Sequence, residues 1–251
     1  MVPVPLPLDA TAVLLHDTLR RRRYGRPAVV SSFGAESAVL LHLVAGIDPA
    51  TPVIFLDTGK LFAETLRYRD TLVRAFGLRD VRSGRPDPAT LAAIDPAGTL
   101  WQRDPDQCCW QRKVEPLDLA LDGFDAWING RKRFHGGSRA ALTPLETAPD
   151  GRTKITPLAG WTEAALIAYR DAHALPRHPL AARGYRSIGC ATCTLPVRDS
   201  ALAGAGDPRA GRWAGRAKTE CGIHHPTAPF EPAPSLPTPS QPAGMPEQEA
   251  A

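Results

Sequence analysis

The chain of 251 residues is 43% hydrophobic and 22% charged, enough for one core of ordinary size, which excludes a fibrous or mostly disordered protein. No apolar run approaches the roughly 20 residues of a spanning helix, and the N-terminus MVPVPLPLDA has neither the charged start nor the cleavage site of a secretory signal, so a soluble, cytoplasmic protein without membrane contact is expected. The net charge of +4 averages two unlike regions: from His225 onward there are three Glu and no Lys or Arg, which leaves residues 1–224 with an excess of seven cations. Only five of the 30 cations are Lys, and the Arg majority suits forked recognition of phosphate or sulfate oxygens. A GC-rich genome gives the same composition, so charge alone permits a polyanionic small molecule or nucleic acid without requiring either.

Residues 1–8 read as a loose, Pro-studded arm and 9–23 (DATAVLLHDTLRRRR) as a first helix with Asp9 near its start. Residues 28–33 (AVVSSF) read as a buried strand that passes through Gly34 into a helix, ESAVLLHLVAG, ending at Gly46. A second strand, VIFLDT at 53–58, precedes a helix from about Lys60 to Phe76, and a short third strand falls around Val81. This alternation predicts an α/β fold with a parallel sheet and crossover helices. After a turn-rich stretch containing Pro86, Pro88 and Pro96, the segment 108–121 reads as helical and AWING at 126–130 as a strand. KITPLA at 154–159 is a short strand leading into a helix over 161–173, with Thr162 or Trp161 near its cap. Residues 174–200 have little periodicity and much Gly and Pro, so function or a bound metal is expected to organise them. Eight Pro in the 27 residues from His225 predict a disordered tail, and no internal repeat is present.

The first strand-to-helix junction, Ser31-Ser32-Phe33-Gly34-Ala35-Glu36-Ser37, offers free backbone N–H groups at a helix start, which form an anion site or merely a tight turn; it lacks the Gly-Lys-Ser/Thr of a phosphate-binding P-loop. The second junction places Asp57, Thr58 and Gly59 at the carboxyl end of the next strand, where open parallel sheets bind ligands. Two polar strand ends side by side favour a nucleotide site.

Five Cys in a chain of this kind do not suggest a disulfide framework. Cys108 and Cys109 are adjacent, Cys190 and Cys193 form C-x-x-C, and Cys221 stands apart. Four thiols in two pairs fit a zinc ion or an iron–sulfur cluster; adjacency is unusual for zinc, and Arg112 and Lys113 close behind the first pair suit the compensation of a thiolate-rich cluster. With those four committed, Cys221 in K-T-E-C-G-I-H has no partner left in the chain, so it is either a reactive thiol, favoured as thiolate by Lys218 and His224, or an idle one.

Seven stretches in order, SSFGAES, IFLDTGKLFAET, CCWQRKVEPL, WINGRKRFHGGSRA, KITPLAGWTEAALIAY, LPRHPLAARGYRSIGCATCTLPV and DPRAGRWAGRAKTECGIH, resemble the assimilatory adenylyl-sulfate reductases, a branch of the family that also holds the phosphoadenylyl-sulfate reductases. The resemblance spans residues 28–224, about four-fifths of the chain. It implies a nucleotide-binding fold related to the ATP pyrophosphatases (adenine nucleotide alpha-hydrolase-like), in a single domain over 1–224 with an iron–sulfur-bearing C-terminal region. It also implies a [4Fe-4S] cluster on Cys108, Cys109, Cys190 and Cys193, Cys221 as nucleophile, and adenosine 5′-phosphosulfate as substrate, reduced to sulfite with thioredoxin or a similar external thiol. The small residues Ala214, Gly215, Ala217 and Gly222 lead to the expectation that Cys221 sits on a mobile segment over 200–224. By motif, Lys113, Arg133, Arg139, Arg209 and Arg212 face the phosphate and sulfate groups and His224 orients them, the adenosine lying over the first two strand ends.

Departures from the family pattern are visible. Pro105 stands where some relatives have His, Phe134 and His135 follow Lys132 and Arg133 where many have Asp-Gln, and no thioredoxin-like domain like that of plant relatives follows the E-C-G-I-H motif, so the reductant is expected to be a separate protein. A homo-oligomer is compatible with the sequence, and a nucleic-acid partner is not expected. The alternatives are a phosphoadenylyl-sulfate reductase, an ATP-dependent tRNA sulfur-inserting enzyme, for which SSFGAES poorly matches Ser-Gly-Gly-x-Asp-Ser, and a zinc-stabilised binding module.

Overall fold

The computed structural model describes residues 8–197, 207–216 and 218–224. The expected tail over 225–251, the arm apart from Leu8, and residues 200–206 of the expected mobile segment lie outside that range.

The first helix, α1, spans Leu8–Leu19 and buries Leu15 and Leu19, one turn apart, against the sheet. It ends four residues before the expected Arg23 because the chain turns there: Arg22 (φ 54°) and Gly25 (φ 75°) are left-handed and direct it into β1 (Pro27–Val30). Then follow α2 (Ser37–Ile47), β2 (Val53–Leu56), α3 (Ala63–Phe76) and β3 (Val81–Gly84). Strands β1 and β2 stop before the expected 33 and 58: Ser31 N–H still reaches Ile54 O at 3.0 Å, but Phe33 adopts φ 47° and the backbone peels away from the sheet. Helix α3 begins at Ala63 rather than Lys60, whose carbonyl accepts from Ala191 N–H at 2.7 Å, and it ends at the left-handed Gly77.

Three short helices occupy the stretch read as turns. They are α4 (Pro88–Ile94), capped by Asp87 accepting from Thr90 N–H, α5 (Leu100–Arg103), and α6 (Pro105–Cys109), capped by Asp104. The segment 108–121 is helical as expected, with a π-helical turn over Trp110–Val114 before α7 (Glu115–Ala120). Within that turn the buried Arg112 donates to Thr58 O at 2.9 Å and to Asp95 Oδ2 at 2.7 Å, tying the wide turn to the end of β2. The remaining elements are β4 (Ala126–Ile128), β5 (Leu145–Thr147), β6 (Thr153–Ile155) and α8 (Glu163–Ala172), the last capped by Thr162 accepting from Ala165 N–H at 3.1 Å.

The six strands lie in the order β3-β2-β1-β4-β6-β5, parallel except for the antiparallel edge pair β5–β6. Strands β1, β2 and β4 are buried on both faces, and alternate side chains feed two cores. Val29, Val53, Phe55, Ala126 and Ile128 join residues of α1, α2, α3 and α8, while Ala28, Val30, Ile54 and Trp127 meet Leu117 of α7 with Leu121 and Phe124 beyond it. The result is an α/β fold with a mostly parallel sheet. Among the described residues no helix is long and apolar enough to cross a membrane.

Residues 174–197 are held by protein contacts. Tyr68 Oη donates to Pro176 O at 2.8 Å, and the buried His178 bridges Leu180 N–H, at 3.1 Å from Nδ1, and Thr65 Oγ1, at 3.1 Å from Nε2. Because Nδ1 accepts there, the ring is neutral with its proton on Nε2, and burial lowers its pKa to about 4. Further on, the C-x-x-C loop is stitched to the end of β2 by the Leu61–Cys190 bridge, and to the 211–213 segment by Leu195 N–H to Gly211 O (2.8 Å) and Trp213 N–H to Cys193 O (3.1 Å). Protein contacts thus order much of a stretch for which the sequence suggested only function or a bound metal.

Candidate active site

From β1 the chain builds outward to β3 and then crosses back to lay β4 on the other side of β1. Open parallel sheets bind ligands at such a reversal, outside the carboxyl ends of the two diverging strands. A cavity of about 200 Å³ lies there. Its floor is the β1–α2 junction and the Asn129–Lys132 loop after β4, with Leu56, Thr58 and Leu61 from the end of β2 on one side. The far wall comes from late in the chain: Arg186 to Cys190, Arg209, Arg212, Cys221, Ile223 and His224. The site therefore lies beyond the ends of β1 and β2, as expected, and takes in the loop after β4 as well.

Of the residues expected to contact a ligand, Ser31, Ser32, Gly34, Thr58, Lys113, Arg139, Arg209, Arg212, Cys221 and His224 line this cavity. Four others do not. Phe33, whose ring is fully buried, packs edge-on against Phe55 at 5.4 Å between centroids, and only its backbone lies in the junction. Asp57 turns toward Arg85 Nη2 (3.0 Å), and Gly59, with φ 67°, closes the turn by donating to Asp57 Oδ1. Arg133 follows the extended Lys132 (φ −138°, ψ 148°), so it points the opposite way, is exposed, and donates to Leu142 O at 2.6 Å.

The cations of the cavity divide into two groups. Lys132 donates to Glu36 Oε2 at 2.5 Å, Arg131 to Glu146 Oε2 at 2.8 Å, and Arg139 and Arg209 both hold Glu220, the residue before Cys221. By contrast Lys113 and Arg212 have no carboxylate partner among the described residues. The Arg212 guanidinium lies 4.3 Å from the Trp213 ring centroid, held by a close approach that a Cβ on Gly189 would block, and its buried Nε has no hydrogen-bond partner in the structure. These two are the free positive charges presented to an anion.

Lys113 stands beside the thiols. Burial alone would lower its pKa, but Cys190, Cys221 and Cys109 around it raise it above the ordinary lysine value. Reciprocally, burial would raise the Cys190 thiol, yet Lys113, then Thr58 Oγ1 at 3.3 Å and Arg212, bring it below its ordinary value. Burial and then the adjacent Cys109 push Cys108 up to about 11, with Cys190 and Cys193 adding to the rise. The four paired thiols are thus within electrostatic reach of one another, and all five Cys are unbridged. Among the described residues no three His, Cys, Asp or Glu side chains converge as ligands of a single metal ion.

His224 stacks on Trp127 (centroids 5.7 Å, planes 11° apart), its Nδ1 inaccessible and without a hydrogen-bond partner in the structure. Burial, then Arg131, Lys154, Arg139 and Arg209, hold its pKa well below the ordinary imidazole value. It is neutral, so it does not supply the positive charge the sequence suggested beside Cys221. Lys218 is paired with Asp106.

Reading from sequence missed Asn129, Arg131, Lys132, Glu36, His135 and Glu220. Asn129 holds the β4 loop, donating to Ile155 O and Thr156 Oγ1 (both 3.0 Å) while its Oδ1 accepts from Arg131. The signal for Glu36 and Glu220 lay inside motifs already identified, S-S-F-G-A-E-S and E-C-G-I-H, but a search for anion ligands looks for cations rather than for the acids that fix them.

Residues 26–196 match the phosphoadenosine phosphosulfate reductase domain family. The chain is 56% identical to an adenosine 5′-phosphosulfate reductase of Mesorhizobium japonicum over 78% of its length and 75% of the relative's. In fold it is similar to the phosphoadenylyl-sulfate reductase of Candida auris, solved as a phosphate complex (TM-score 0.62, 25% identity, covering 74% of this chain and 90% of that one). A more distant likeness in fold alone is the FMN adenylyltransferase of Candida glabrata (TM-score 0.53, 15% identity, 77% and 67% covered).

Proposed function

Because the chain belongs to the phosphoadenosine phosphosulfate reductase family, we propose that it is an enzyme reducing adenosine 5′-phosphosulfate to sulfite and AMP in assimilatory sulfate reduction. The observation that carries this reading is the arrival of Cys221 at the crevice beyond the carboxyl ends of the strands, in the same cavity as Lys113 and Arg212, two cations without a carboxylate partner among the described residues. The adenosine fits between the apolar walls of Leu40, Leu56 and Ile223, and the phosphosulfate points toward Lys113, Arg212 and the Arg139–Arg209 pair.

Cys221 thiolate attacks the sulfur of the sulfate group, a Cys–S bond forms, and the bond to the phosphate oxygen breaks with AMP carrying away the electron pair. Lys113 and Arg212 neutralise the charge that grows on the leaving phosphate, and neutral His224 orients the sulfonate oxygens. A thiolate of a thioredoxin-type dithiol then attacks Cys221 Sγ and expels sulfite. Its second thiol resolves the mixed disulfide, so the dithiol is oxidised as the sulfur is reduced. We place this chemistry in one domain over residues 1–224 and in the reducing cytoplasm, where free thiols persist.

The thiols of Cys108, Cys109, Cys190 and Cys193 fit a [4Fe-4S] cluster. They are four soft donors within electrostatic reach of one another, with Lys113 and Arg112 placed to offset thiolate charge. Held by these four residues, such a cluster would supply a fixed electrostatic centre near the site.

Two results test the reading. Sulfite release, with thioredoxin supplied, is expected at least about tenfold faster from adenosine 5′-phosphosulfate than from its 3′-phosphorylated form. The reverse preference, the one named by the Candida auris relative, makes the protein a phosphoadenylyl-sulfate reductase. Lys113→Ala is expected to lower kcat by about 10² to 10³-fold, because it removes a charge aimed at the developing anion. A variant that changes only KM would reassign Lys113 to uniform ground-state binding.

A further inference from the structure

One polar chain crosses the cavity from the start of α2 to the neighbour of Cys221. Glu36 Oε2 lies 3.1 Å from His135 Nε2, His135 Nδ1 lies 3.0 Å from Arg139 Nη1, and Arg139 Nη2 donates to Glu220 Oε2 at 2.9 Å. A guanidinium has only donors, so His135 Nδ1 must accept, and the ring proton must then sit on Nε2, where it is donated to Glu36. The His135 side chain is 9% exposed, and its place in the chain leaves it one tautomer and one orientation.

We propose that His135 is a positioning residue that aims the Arg139 guanidinium at the charged end of the nucleotide, and that a proton on its Nδ1 breaks this contact, so that substrate affinity falls as the pH falls. The proposal rests on the reading of the site as a sulfonucleotide reductase.

The groups facing the ring set the direction. Glu36 from α2 favours the added proton, while Lys132 from the β4 loop and Arg139 from the turn beyond oppose it, and the Phe134 ring packs at 4.5 Å. Burial is the largest influence and, with the two cations, keeps the pKa below the ordinary imidazole value, so the ring is neutral near pH 7. Protonation sets donor against donor at Arg139 while leaving the Glu36 contact intact. Arg139 keeps both of its bonds to Glu220, through Nε and Nη2, so what protonation removes is the hold on the Nη1 corner of the guanidinium.

Asn and Ala at this position separate the two contacts. Asn presents Oδ1 where Nδ1 was and keeps an acceptor for Arg139 that does not titrate; Ala keeps nothing. KM and kcat for adenosine 5′-phosphosulfate are measured between about pH 5.5 and 8 in wild-type protein, His135→Asn and His135→Ala. At the upper pH, His135→Ala is expected to raise KM about tenfold with kcat within about threefold, and His135→Asn to restore most of the loss. Wild type is expected to show a KM that rises toward acid, and His135→Asn to lack that rise. An unchanged KM in folded His135→Ala, or the same acidic limb in His135→Asn as in wild type, overturns the proposal. Should His135→Ala fail to fold, the acidic limb in His135→Asn decides alone. Wild-type protein that releases no sulfite from this nucleotide at any pH overturns the functional reading instead.

Discussion

Cys221→Ser is expected to lose sulfite release by on the order of 10⁴-fold or more while still binding AMP as tightly as wild type. The expectation follows from how little else Cys221 touches. It lines the cavity, but the backbone around it is fixed by other groups: Arg209 donates to Thr219 O at 2.7 Å, Glu220 is held by Arg139 and Arg209, and Gly222 sits so close to Val114 that a Cβ there would meet its methyl at 2.9 Å. Replacing sulfur by oxygen leaves each of these contacts in place. The serine hydroxyl stays protonated at neutral pH and is a far weaker nucleophile than the thiolate it replaces. Wild-type protein given substrate without reductant should gain the mass of one SO₃ group on the peptide that contains Cys221 and stop after about one turnover. Thioredoxin should remove that mass and free sulfite. If the adduct forms on another cysteine, or if Cys221→Ser turns over normally, the two-step mechanism is wrong even though the family stands.

The parts of this site that were legible in the sequence are those whose chemistry depends on residue type at short range. The paired cysteines, the small-residue junction after β1 and the E-C-G-I-H motif each carry their meaning within a few residues. What was not legible depends on direction and on the return of the chain. Strand β5 (Leu-Glu-Thr) is an exposed edge strand with no hydrophobic alternation to reveal it. Arg133 and Lys132 are equivalent as sequence, but the extended backbone at Lys132 sends its side chain into the cavity and that of Arg133 to solvent. The extent of the site followed the same rule: a strand order that doubles back from β3 to β4 cannot be read from alternating strands and helices, and it is this reversal that brings the Asn129–Lys132 loop into the crevice beside the ends of β1 and β2. Glu36 and Glu220 escaped because acids in an anion site look unfavourable until the cations they anchor are seen. Each holds an Arg or Lys in one geometry at a cost in net positive charge, which leaves Lys113 and Arg212 as the cavity cations that no carboxylate among the described residues holds.

Cys190→Ser is the second variant expected to abolish turnover, and its reason differs. Cys190 is bonded from two sides: its thiol lies against Thr58 Oγ1, and its carbonyl accepts from Thr194 Oγ1 at 2.8 Å and from Cys193 N–H at 3.0 Å. The loop is thereby positioned by backbone and hydroxyl contacts that a serine keeps. The ligand set of the proposed cluster is what a serine would break, since an alcohol is a poor ligand where a soft thiolate is required. We therefore expect purified Cys190→Ser to have lost its iron by direct analysis and its brown colour, and to unfold at lower denaturant than wild type, because bound metal contributes to folding free energy. Backbone amides of 175–185 should remain protected from hydrogen exchange in the variant, since His178, Tyr68 and the buried Leu180 hold that stretch without metal. Exchange should instead rise around 190–195 and 211–213, where the thiol pairs and the Arg212 segment share bridges. Full iron content in Cys190→Ser removes that residue from the ligand set. Loss of protection across 175–185 together with the iron would mean that metal, rather than the contacts described here, organises the whole stretch.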